Sequence, residues 1–143
     1  MKKITLFSDG SSLGNPGAGG WACILRYKNN EKILSGGAPN VTNNQMELLG
    51  VIEGLKALNE ACEVEIFTDS NYVVKSINEW LDNWLQKNWK NNTVKNRDLW
   101  ERYLEVSRNH KIKAFWVKGH AGHEENEKCD KIAKSEAEKY RRN

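Results

Sequence analysis

No stretch of this sequence approaches the roughly 20 consecutive apolar residues of a membrane-spanning helix, which excludes a helical membrane protein. The apolar run Ile4–Phe7 behind Met1, Lys2 and Lys3 is too short for a signal peptide, and Asp9 interrupts it. Cysteine is scarce: Cys23, Cys62 and Cys129 are odd in number, widely spaced and without a CxxC pair, which argues against a disulfide framework and a zinc site. They are expected as small buried hydrophobes in a reducing cytosol, so the expected location is cytoplasmic. There is no internal repeat and no low-complexity linker. Nor does charge of one sign dominate: 22 Lys and Arg against 19 Asp and Glu leave +3. That balance permits a polyanionic partner without demanding one, so where the charges sit matters more than their sum. At 143 residues the chain suits one domain, 1–143, with a core of its own.

What is present sorts by period. Ile4-Thr5-Leu6-Phe7-Ser8 alternates and is β-prone, predicting a strand that runs into Asp9. Residues 10–20 are glycine-rich with Pro16 and read as a loop. Trp21 to Tyr27 and Glu31 to Ser35 flank Asn29-Asn30, a hairpin turn. Thr42-Asn43-Asn44-Gln45 then matches a capping box, and Leu48, Ile52, Leu55 and Leu58 continue at helical spacing to about Asn59. Val64 to Phe67 predicts a strand ending at Asp69, and Val73, Ile77, Trp80 and Trp84 form a second helical stripe. The segment 86–97 has no period, four cations and no acid. Leu99, Tyr103 and Val106 mark a helix, Ile112 to Val117 a strand, and a helix from about Asn126 closes the chain. The expected fold is α/β: a five-stranded mixed sheet, three antiparallel strands then two parallel, with helices on both faces.

Four carboxylates need a reason. Asp9 and Asp69 stand at the ends of strands, where open α/β sheets place their sites. Glu47 lies in the second turn of its helix, and Asp130 shares a face with Asn126, Ala133 and Ala137. Small residues on that face predict close packing and an inward Asp130, which costs several kcal/mol unless its charge is compensated. Each acid alone has a structural explanation: a turn residue at Asp9, an N-cap pair at Asp69-Ser70, a solvated Glu47, a lysine partner for Asp130. Together they are harder to explain so, because no cation is fixed near all four by sequence. Acids from two strands and two helices are what hard divalent cations require.

The residues that carry a resemblance are Asp9-Gly10-Ser11 with Gly14-Asn15-Pro16-Gly17 and Gly19-Gly20, Thr42 to Leu48, Thr68-Asp69-Ser70, Val117-Lys118-Gly119-His120-Ala121-Gly122-His123, and Glu125-Asn126-Glu127 with Cys129-Asp130. Together, in this order and across nearly the whole chain, they resemble type 1 ribonucleases H of the bacterial kind. The resemblance implies a metal-dependent endoribonuclease that cuts the RNA strand of an RNA–DNA hybrid and leaves 5′-phosphate and 3′-hydroxyl ends. Asp9, Glu47, Asp69 and Asp130 would hold two Mg²⁺ ions, with Mn²⁺ as a substitute. One ion would activate the attacking water and the other would stabilise the leaving oxygen. His120 would be the catalytic histidine of a mobile loop, serving proton transfer or product release. His123 is the less favoured of that pair, and His110 reads as surface.

For the substrate, the resemblance places Asn15, Asn43, Asn44 and Asn71 near bases, sugars or phosphates, with Thr42 on a DNA-strand phosphate. Asparagine or Glu47 can read a 2′-hydroxyl. The glycine-rich segment is not a P-loop, since no Gly-Lys-Ser/Thr follows and a strand comes next. Trp80, Trp84 and Trp89, with Lys87, Lys90, Lys95 and Arg97, resemble a basic protrusion beside the channel for the DNA strand. Trp80 and Trp84 fit core packing equally, whereas Trp89 lies past the helix in a polar segment where core packing is less natural. The protrusion is a few residues shorter than in some relatives, Asn71 stands where glutamine is familiar, and Ser8 where threonine is. A monomer working without a separate hybrid-binding module is expected. A non-catalytic hybrid-binding module would share the basic surface but would not need the four acids. A DNA-cutting relative is disfavoured by the His120 loop and the basic segment, and a detached polymerase domain by the short, self-contained chain.

Overall fold

The computed structural model describes residues 1–118 and 124–141. An antiparallel meander opens the chain: β1 (Lys2–Ser12), β2 (Gly17–Tyr27) and β3 (Asn30–Val41). Then come α1 (Asn43–Lys56) and β4 (Cys62–Thr68). A run of short helices follows: α2 (Asn71–Lys75), a π-helical turn (Ser76–Trp80), α3 (Leu81–Gln86), α4 (Asn88–Asn92) and α5 (Arg97–Ser107). The chain closes with β5 (Lys111–Trp116) and α6 (Glu124–Lys139). The sheet order is β3-β2-β1-β4-β5, with β1 parallel to β4 and β4 parallel to β5. This is the mixed sheet the sequence predicts.

Strand alternation divides the interior in two. Ile4 and Leu6 of β1, Cys23 and Leu25 of β2 and Val64 and Ile66 of β4 face one way. There they meet Leu48, Val51, Ile52 and Leu55 of α1 and the aromatic side chains of α5. Ala22, Ile24 and Phe7 face the other way, against Cys129, Ile132 and Ala133 of α6. Helices therefore cover both faces, and all three cysteines are free and buried, as expected. Among the described residues, no helix is long and apolar enough to cross a membrane.

The strands are longer than their hydrophobic patterns. β1 continues through Asp9 to Ser12, and the glycine-rich segment assigned to a loop pairs with it, Ser11 opposite Gly20 and Ser12 opposite Gly19. These glycines are in the sheet because a helix needs their space: a Cβ on Gly20 would lie 2.2 Å from the Ala133 carbonyl oxygen of α6. The hairpin turn is Lys28-Asn29, one residue earlier than predicted, with Lys28 at φ 55° and Tyr27 paired to Asn30. His110 is half-buried rather than superficial, its Nδ1 accepting from the Cys62 backbone N–H at 3.0 Å.

The tryptophans divide for a geometric reason. The π-helical turn inserts a residue into the stripe, so Leu81 and Trp84 stay on the core side while Trp80 swings out, 39% exposed. Beyond it, Asn88 to Asn92 all have positive φ, a left-handed turn in which asparagine supplies three of five residues. Trp89, for which the sequence makes core packing less natural, is buried: it is 6% exposed, stacked on Trp84 at 6.4 Å, with the Arg97 guanidinium 5.2 Å over its ring. The turn drives an indole inward, and the burial offsets the strain of a bulky residue at φ 56°.

Seating α6 on Gly20 leads to a direct expectation. Gly20→Ala should destabilise the fold by about 1–3 kcal/mol, the range for overpacking a close contact. Urea denaturation reads this, and wild-type stability in the variant would contradict the seating.

Candidate active site

Two glycine contacts bring the acids together. Asp9 is paired with Ala22 and so points to the α6 face, while its neighbour Gly10 points to α1. A Cβ on Gly10 would lie 2.3 Å from the Glu47 backbone nitrogen, so the helix rests directly on the strand at that point. The Gly10 N–H donates to Glu47 Oε1 at 2.6 Å and to Asp9 Oδ1 at 3.0 Å. Both carboxylates are 5% exposed. The buried Thr68 hydroxyl lies 3.5 Å from Glu47 Oε2, at the long limit of a hydrogen bond, and accepts from the Ser70 N–H at 3.1 Å.

Asp69 follows the end of β4 and is exposed. One carboxylate oxygen each of Asp9, Glu47 and Asp69 lie within 4.8 Å of one another. Asp130, on the face of α6 that carries Ala133 and Ala137, is near enough to raise the Asp9 carboxyl further and pairs with Lys134 at 3.0 Å. Three of the four predicted acids thus form one cluster. The fourth stands at its margin, with a lysine partner that the sequence also allowed.

Burial pushes the Asp9 carboxyl far above the ordinary carboxylate range, and the charges of Glu47 and Asp69 push it further. Burial is also the largest influence raising Glu47, partly offset by its bonds to Asp9 and the Gly10 N–H. Such a site holds protons unless a cation takes their place. Its donors are all carboxylate oxygens, the set that hard divalent ions such as Mg²⁺ and Mn²⁺ prefer over softer metals.

The expected substrate residues have structural duties as well. Thr42 caps α1, accepting from the Gln45 N–H at 3.2 Å, while its own N–H donates to Gln45 Oε1 at 2.9 Å, completing the predicted capping box. Asn15 Oδ1 accepts from the Asn43 N–H and Asn43 Oδ1 from the Ser12 N–H, both at 3.0 Å. These bonds tie the glycine-rich turn to the helix that carries Glu47. Asn15, Asn43, Asn44 and Asn71 are exposed, Asn71 two residues past Asp69. Lys87 and Lys90 are exposed on and beside the left-handed turn, Trp80 offers part of its ring, and Trp84 at 9% exposure belongs to the core. His120 and His123 lie outside the described residues.

Sequence reasoning passed over Thr68, Trp116 and Lys134 as site residues. Thr68 opens the Thr68-Asp69-Ser70 motif, Trp116 stands just before the one that begins at Val117, and Lys134 falls one helical turn past Asp130.

The RNase H family model matches residues 1–138. A ribonuclease H of Campylobacter concisus is 64% identical over 141 residues, covering 99% of this chain and 96% of the relative. Among solved structures, LC9-RNase H1, a type 1 RNase H with the type 2 active-site motif, is similar at 28% identity. It superposes with a TM-score of 0.89 over 98% of this chain and 74% of its own. LC11-RNase H1, crystallised in complex with an RNA/DNA hybrid, shares the fold at 19% identity and a TM-score of 0.70, with 95% of this chain and 97% of its own covered. The chain belongs to the ribonuclease H family.

Proposed function

We propose that this ribonuclease H hydrolyses the RNA strand of RNA–DNA hybrids as a metal-dependent endonuclease, leaving 5′-phosphate and 3′-hydroxyl ends. The observation that carries the reading is the convergence of Asp9, Glu47 and Asp69 from two strands and a helix into one cluster, with Asp130 at Asp9. Two buried carboxylates side by side, Asp9 and Glu47, with a third beside them, are costly as structure alone. Mg²⁺ ions, two per site, held by the four acids would lower the pKa of the attacking water and stabilise the leaving 3′ oxygen.

The chain's own groups supply the rest. Gly10 and Thr68 hold the Glu47 carboxylate from two sides. Asn15, Thr42, Asn43, Asn44 and Asn71 line the approach as contacts to sugars and phosphates, and His120 takes the proton-transfer or product-release role. On the protrusion, Lys87 and Lys90 neutralise phosphates of the DNA strand and Trp80 offers its exposed face to a sugar or base. Trp84 and Trp89 act from beneath by holding the protrusion in shape. The enzyme is read as a cytoplasmic monomer.

The deciding assay offers end-labelled hybrid, duplex RNA, duplex DNA and single-stranded RNA, each with Mg²⁺ and with EDTA. Cleavage of the hybrid's RNA strand alone, abolished by EDTA, is expected. Tight hybrid binding without cleavage would point to a binding module, and cleavage of DNA would point to a DNA-processing relative.

Asp9→Asn should nearly abolish cleavage while hybrid binding remains measurable. The same variant should be more stable than the parent in EDTA at neutral pH, by about 1–3 kcal/mol, the scale for a poorly compensated buried group. The sign follows from the raised folded-state pKa of Asp9. Its penalty is absent below the unfolded pKa and grows as pH rises from there toward the folded value. Equal melting temperatures across that range would contradict the assigned burial. Replacing Lys87 and Lys90 by Gln should flatten the salt dependence of hybrid binding by about 1–2 units of logarithmic slope. An unchanged slope would exclude them as phosphate contacts.

A further inference from the structure

We propose that Trp116 is a positioning residue for Asp69, its indole N–H fixing the main chain of that residue at the open end of β4. The inference rests on the reading of Asp69 as a metal-holding carboxylate. The β4–β5 ladder ends at the pair Thr68 and Trp116, followed by one more backbone bond, from the Val117 N–H to the Thr68 carbonyl at 2.9 Å. Asp69 lies past that last pair and before Ser70, the N-cap of α2, at the junction of the two elements. Trp116 Nε1 donates to the Asp69 carbonyl oxygen at 3.0 Å across this junction. From the inner side, the Thr68 hydroxyl accepts the Ser70 N–H at 3.1 Å. The residue between is thus held from both flanks.

Packing does not explain a tryptophan here. Trp116 is 48% exposed, among the most exposed large hydrophobic side chains described. Ring stacking accounts for its neighbour Phe115, 39% exposed, whose ring lies on Phe67 at 5.2 Å. What tryptophan offers over phenylalanine or leucine is a single N–H donor at the far edge of a long rigid ring, able to reach a neighbouring strand's carbonyl. Asp69 is also the exposed member of the acid cluster, so burial constrains it less than Asp9 or Glu47. A metal site tolerates little misplacement of a ligand, so a bond that narrows the Asp69 main chain preorganises the cluster.

The test compares wild type with Trp116→Phe, which keeps the ring and removes the donor. Calorimetric titration with Mg²⁺ without substrate is the first readout. A rise of about 2- to 10-fold in the dissociation constant is expected, the range for one hydrogen bond. The Mg²⁺ needed for half-maximal cleavage should rise in parallel, with the hybrid KM unchanged at saturating metal. Unchanged Mg²⁺ affinity would overturn the proposal, as would a raised KM alone, which would make the indole a substrate contact. A second readout needs no variant: the Trp116 indole N–H resonance of ¹⁵N-labelled wild type should shift with Mg²⁺ at the calorimetric midpoint. A resonance indifferent to Mg²⁺ would overturn the assignment. Wild type that neither binds Mg²⁺ nor cuts hybrid would instead fail the hydrolase reading itself, and this inference with it.

Discussion

Like charges held together out of water are the constraint on which the rest of this structure turns. Asp9 and Glu47 are both nearly buried, share the Gly10 N–H as a donor and are joined by Asp69 within 4.8 Å. Left ionised and uncompensated, such a group opposes folding. The fold brings it together because two helices are seated directly on strands at glycines, α1 on Gly10 and α6 on Gly20. Around those contacts lie the two apolar layers, Leu48 to Leu55 under one face and Cys129 and Ala133 under the other. Hydrophobic packing fixes the helices, and the helices carry Glu47 and Asp130 toward Asp9, where protons or a cation relieve the charge.

The same logic gives the glycine-rich segment its meaning. As a loop it would be a convenience of chain reversal. As strand residues beneath α6 and against α1, its glycines set how near Asp130 and Glu47 come to Asp9. Asn15 and Asn43 then lock the turn to the start of α1, so residues proposed to contact the hybrid also support the helix that carries Glu47.

Much of this was legible in the residues and some was not, for physical reasons. The acids at strand ends, the capping box at Thr42 and the order of strands and helices follow from period and local chemistry, and the structure has them. The extent of β1 and β2 was hidden because glycine has little β-propensity of its own. Its place in the sheet comes from a helix more than 100 residues further along the chain. Trp80 and Trp84 share one stripe on an ideal helix, and only the π-helical turn separates the exposed ring from the buried one. Trp89 sits among polar residues in sequence, and a left-handed turn that no period announces buries it. The Thr68 and Trp116 bonds join elements distant in sequence and leave no local pattern.

Asp9, Glu47 and Asp69 are proposed to act as one divalent-ion site. The most direct measurement follows the side-chain carboxyl ¹³C resonances of these three residues during Mg²⁺ addition without substrate. If they form one site, all three move with a common midpoint. Movement of the exposed Asp69 alone, with Asp9 and Glu47 unchanged, would contradict it.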